Sequence, residues 1–163
     1  MKAPLVIAAL TLFSLSAQAR LGETPAQIEA RYGKPWSTLS TISTNEYLRD
    51  YAHGGYTIVV IFWNGKDAQE IIFAKTVLDD DVVKTLFTTI SGKEQAQVDT
   101  IGNQTLFTTG DVTGRFDPNP HVGSYKSTLS VGSDVYQKHF ADGIAAEEKK
   151  KAEAEKKKAT EGF

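Results

Sequence analysis

The chain has 163 residues, 18 Lys+Arg against 20 Asp+Glu, and a 40% hydrophobic and 23% charged composition. That balance suits one globular domain and excludes a fibrous or wholly disordered chain. A net charge of −2 gives no long-range pull toward nucleic acid, and zero cysteines exclude disulfides, thiol nucleophiles, thiolate metal sites and a lipid anchor on cysteine.

The chain opens with the three-part pattern of an export leader. Met1-Lys2 is the positive start, Pro4 to Leu15 is an apolar run, and Ser16-Ala17-Gln18-Ala19 supplies the small residues a signal peptidase reads. The apolar run is too short for a membrane span, which takes roughly 20 residues. The expectation is therefore a signal peptide over 1–19, cleavage after Ala19, and a periplasmic or secreted protein. A single domain is predicted over 20–143 and a tail over 144–163.

Thr24-Pro25-Ala26-Gln27 is a helix start: Thr caps, Pro occupies the first turn, and Gln completes a capping box. Gly33 and Pro35 stop the helix, which is predicted over 25–32. A strand follows near 47–52, then a turn at His53-Gly54-Gly55. Tyr56 to Trp63 is dense in β-branched and aromatic residues and predicts a central strand. Asn64-Gly65 is a strong hairpin signal, and the return strand is predicted over 69–76. A second helix begins after Asp79, carries Val82, Val83, Leu86, Phe87 and Ile90 at helical spacing, and closes at Gly92. Asp79-Asp80-Asp81 sits at the positive end of that helix, which explains the three carboxylates without a metal. Past Lys93, candidate strands are 105–109, 112–116 and 125–131, while 135–140 reads equally as strand or helical turn. No repeat of fixed period is visible.

The tail is almost wholly Ala, Glu and Lys. Glu147 and Lys151 are four apart in the favourable order for a helix. Without apolar a and d positions a coiled coil is not supported, and a solvated helix or disordered tail is expected. The fold class is thus α+β: an antiparallel β-meander sheet with two short helices packed on one face, plus a charged tail.

The helix punctuation Gly22-x-Thr24-x-x-Gln27 and the element Arg31-Tyr32-Gly33-Lys34-Pro35 resemble those of small exported bacterial proteins of unknown function. More distantly, the stretch from about Leu21 to Ile90 is similar to the small-protein-A/outer-membrane-lipoprotein-A domain and the β-lactamase-inhibitor-protein-like fold. The resemblance implies a helix, a Gly-x-Pro stop and a meander, and it brings no catalytic residue. The lipoprotein family anchors through a lipidated cysteine, which this chain lacks.

Catalytic patterns are scarce. His53, His121 and His139 form no paired metal spacing, and no nucleophile-elbow or phosphate-loop motif occurs. No cofactor is implied. Two functional readings remain. The first is an exported, non-enzymatic binding module with an envelope protein partner, its contact patch an exposed aromatic run of Tyr47, Tyr51 and Trp63. The alternative is a small periplasmic hydrolase or metal-dependent enzyme in which Asp111, Arg115, Asp117 and His121 meet in the longest irregular loop region.

Overall fold

The structure is a computed structural model that describes residues 20–37 and 40–161. The predicted leader, residues 1–19, lies outside the described residues. Helix α1 (Pro25–Tyr32) leads into four strands: β1 (Ser40–Ser43), β2 (Glu46–His53), β3 (Tyr56–Trp63) and β4 (Lys66–Ala74). Helix α2 (Asp80–Ser91) follows, then β5 (Gln97–Ile101), β6 (Gln104–Thr109), β7 (Val112–Asp117) and β8 (Ser127–Ser133), and last α3 (Asp134–Glu161). The class is mixed α+β with an antiparallel sheet.

Among the described residues, all strands join one 8-stranded antiparallel sheet in the order β1-β2-β3-β4-β8-β7-β6-β5. Two four-stranded meanders, each preceded by a helix, therefore meet at the β4–β8 seam in mirrored order. The repetition is one of topology, and it carries no sequence periodicity.

Local chemistry explains most boundaries. Thr24 N–H donates to Gln27 Oε1 at 2.9 Å, closing the start of α1. Gly33, at φ 86°, ends it. Asn64 (φ 53°) and Gly65 (φ 74°) take the left-handed geometry that a tight β3–β4 hairpin requires. Asp79 stands at the start of α2, but its side chain makes no capping hydrogen bond there; Asp80 and Asp81 occupy the first turn, where carboxylates favour the helix dipole.

The core alternates along the strands. Tyr51, Ile58, Val60, Phe62, Ile72 and Leu129 point to one side and form one cluster with Ile28 of α1 and Val83, Phe87 and Ile90 of α2. Across the seam, Ile72 pairs with Leu129 and Glu70 with Val131, so the cluster runs through both meanders. Gly114 of β7 is where α2 approaches most closely. A Cβ there would lie 2.5 Å from Phe87 Cδ2 and 2.7 Å from Cε2. Phe87 is 1% exposed and stacks on Phe107 at 5.1 Å, so it has nowhere to retreat. Gly114→Ala is expected to cost about 1–3 kcal/mol by overpacking, read as a Tm drop of several degrees. Adding Phe87→Leu should restore part of the loss; full stability in Gly114→Ala alone would contradict this packing.

Two segments differ from the sequence expectation, and a third, which reads equally as strand or helical turn, is decided. Strands β1 and β5 are the sheet edges and are exposed throughout, so neither carries the alternation that marks a strand. The 135–140 segment is helical and lies inside α3, a helix of 28 residues. In α3, Tyr136 is buried at 1% exposure, whereas Val135, Phe140 and Ile144 are exposed.

Candidate functional site

Tyr47, Tyr51 and Trp63 do not form one exposed run. Tyr51 is fully buried, because its strand position faces Ile58 inside the core cluster. Tyr47 shares that side, half-buried, stacked on Phe62 at 5.0 Å with the Arg49 guanidinium 5.7 Å from its ring. Trp63 points to the opposite side of the sheet, where it stacks on His139 of α3 at 4.9 Å. Beside it, Tyr136 Oη donates to the buried carboxylate of Glu46. Burial, and then Glu46, raise the Tyr136 hydroxyl pKa.

Asp111, Arg115, Asp117 and His121 are not brought together either. Asp111 precedes β7 and Asp117 ends it, so six strand steps put them about 20 Å apart. Asp117 is spent on local structure, accepting from Gln104 Nε2 at 2.9 Å and from Asn119 N–H at 2.8 Å. Arg115 is exposed on the outward side of β7, and His121, at φ 51°, sits in the loop beyond. Among the described residues, no three His, Asp or Glu side chains converge as a metal site.

The concentration of buried charge lies elsewhere, where the segment before α1 crosses the start of β4. Leu21 N–H donates to Ile90 O at 3.1 Å, Gly22 N–H to Asp67 O at 2.7 Å, and Asp67 N–H to Glu23 O at 2.8 Å. These bonds strap residues 21–23 across the start of β4 and the end of α2. Beneath the strap, Arg31 Nη1 donates to Glu70 Oε1 at 2.8 Å and Nη2 pairs with Glu23. Tyr32 Oη donates to Glu70 Oε2 at 2.5 Å. Glu70 is fully buried and Asp67 is 2% exposed. Neither carboxylate oxygen of Asp67 has a hydrogen-bond partner among the described residues.

The electrostatics follow from that burial. Desolvation pushes the Asp67 carboxyl well above the usual carboxylate range, and the neighbouring Glu70 adds to it. Burial likewise raises the Tyr32 hydroxyl, again reinforced by Glu70. For Arg31, burial opposes the charge but is outweighed by Glu70 and Tyr32, and its pKa rises. One guanidinium thus holds two carboxylates inside the fold, while the third buried carboxyl favours its neutral form. The sequence carried a faint trace of this: Glu70 has the same strand phase as the apolar Ile72 and Ala74, a charge on a buried face.

Two depressions flank the cluster. A cleft of about 560 Å³ opens between the strap, the β3–β4 turn and the end of α2. A groove of about 260 Å³ lies between α1, α2 and the β2–β3 turn, with Ile58, Ile72 and Ile90 as its floor and Tyr32 and His53 at its rim.

No family model matches the chain. No curated protein matches it. Among solved structures, it is similar to a cysteine-rich secretory protein from Staphylococcus aureus at 8% identity and a TM-score of 0.45. That likeness covers 71% of this chain but only 45% of the other. No helix among the described residues is long and apolar enough to cross a membrane.

Proposed function

We propose that this protein is an exported, non-enzymatic binding module that engages an envelope protein through the sheet face opposite α1 and α2. The supporting observation is an apolar strip on that face. Leu48 pairs with Ile61, Val59 with Ile71, and Thr57 with Phe73, so one half-exposed row crosses β2, β3 and β4. Aromatic groups border it at both ends. Tyr125 packs on Phe73 at 5.0 Å, and Trp63 lies beneath His139. Such an apolar centre with a mixed rim is the usual anatomy of a protein contact surface.

In this reading α1 and α2 pack on the other face and supply stability. The Ala/Glu/Lys-rich part of α3 is a solvated extension, and the leader directs the chain to the periplasm or beyond. Trp63 belongs to the contact surface, while Tyr47 and Tyr51 belong to the core. The separated positions of Asp111, Arg115, Asp117 and His121 favour binding over hydrolysis.

The test is site-specific photo-crosslinking in the exported protein. A photoreactive residue at Ile61 is expected to give a discrete adduct with one envelope protein, and the same group at Lys84 on α2 to give none. Equal labelling from both positions, or no adduct from Ile61, would contradict the reading.

A further inference from the structure

We propose that the 560 Å³ cleft beside the strap binds a small phosphate-bearing ligand. Its wall carries three cationic side chains from three segments: Arg20 before the strap, Lys66 in the β3–β4 hairpin and Lys93 after α2. The chain as a whole is acidic by two charges, so this clustering runs against its composition. The one exposed carboxylate in the wall is Asp111. The other, Asp67, lies buried at the floor.

The cleft is built rather than incidental. The backbone bond from Leu21 N–H to Ile90 O fixes the chain next to Arg20. Gly92, at φ 66°, lets the Arg20 side chain lie across the end of α2, since a Cβ there would come within 2.5 Å of Arg20 Cγ. Arg20 and Lys93 both sit where the negative end of α2 attracts cations. Lys66 belongs to no helix, yet faces the same space. Several cations converging on one concavity are the chemistry that recognises a phosphate dianion or pyrophosphate. The volume falls within the range of small-molecule sites.

The phosphate could belong to a soluble molecule or to a lipid headgroup, and the experiment separates them. Pyrophosphate is titrated into the full exported chain by calorimetry, and vesicles of phosphatidylglycerol are tested by flotation with and without pyrophosphate. The Lys66→Glu/Lys93→Glu variant, altered only at exposed residues, should stay folded with a Tm within a few degrees of the parent and bind pyrophosphate about tenfold or more weakly. The control Lys75→Glu/Lys84→Glu makes the same charge change outside the cleft and should bind as the parent does. Flotation that pyrophosphate abolishes identifies a headgroup; pyrophosphate binding without flotation identifies a soluble ligand. Absence of pyrophosphate binding, flotation indifferent to pyrophosphate, or equal loss in both double variants would overturn the proposal.

Discussion

Arg31→Met is expected to destabilise the protein by about 3–5 kcal/mol, the cost of leaving buried carboxylates without their cation. Among the described residues the guanidinium is the one group that pairs with both Glu23 and Glu70, and the Glu70 side chain has no access to solvent. Methionine fills a similar volume, so the loss would report charge rather than a cavity. Against a total stability of about 5–15 kcal/mol, this is a large fraction. The measurement is the urea midpoint at pH 7, with the slope checked for unchanged cooperativity. Two companion results give the number its meaning. The variant Arg31→Met/Glu70→Met removes both a cation and an anion and should recover much of the loss, because an apolar pair suits a buried site at least as well. Acidification should also narrow the gap between Arg31→Met and the parent, since protonated carboxyls no longer need the guanidinium. A loss below about 1 kcal/mol would place this ion pair with ordinary surface pairs and contradict the burial described here.

Asp67→Asn is expected to be more stable than the parent at pH 8 and no more stable near pH 4. Burial, with Glu70 beside it, raises the Asp67 pKa in the folded protein above the ordinary unfolded value of about 3.9. The folded state therefore holds this proton more tightly. The associated stability is fully present below the unfolded pKa and is lost as pH rises toward the folded pKa. Over that window the parent loses up to about 1.4 kcal/mol per pH unit from this one site. Asparagine has no proton to lose and escapes the penalty while keeping the shape of the side chain. Thermal melts of both proteins from pH 4 to pH 8 measure the effect. A gap that stays constant with pH would show that Asp67 is ionised throughout and that its burial is compensated in some other way.

How much of this could be read in the chain depends on the range of the interaction. Thr24, Gln27 and Gly33 bracket α1 through contacts three or four residues apart, and Asn64-Gly65 makes its own turn, so these boundaries are legible in order. The β3 strand is legible because Ile58, Val60 and Phe62 must all be buried. The edges β1 and β5 escape notice since an exposed strand owes its existence to its neighbour's hydrogen bonds rather than to its own side chains. The site is harder still. Arg31 and Glu70 are 39 positions apart, and nothing local marks either as the partner of the other. Tyr51 and Trp63 look alike as exposed aromatics in the sequence, yet strand phase sends one into the core and the other to the opposite face.

By itself, then, the amino-acid order determined the α+β class, the first two helices and the central hairpin, all of which rest on contacts or patterns within a few residues. Only the tertiary structure decided that two meanders meet at the β4–β8 seam. It alone decided that one guanidinium is buried between two carboxylates, and that three cations share a cleft. Those arrangements join residues distant in the chain, and their energies arise only when folding removes the water between them.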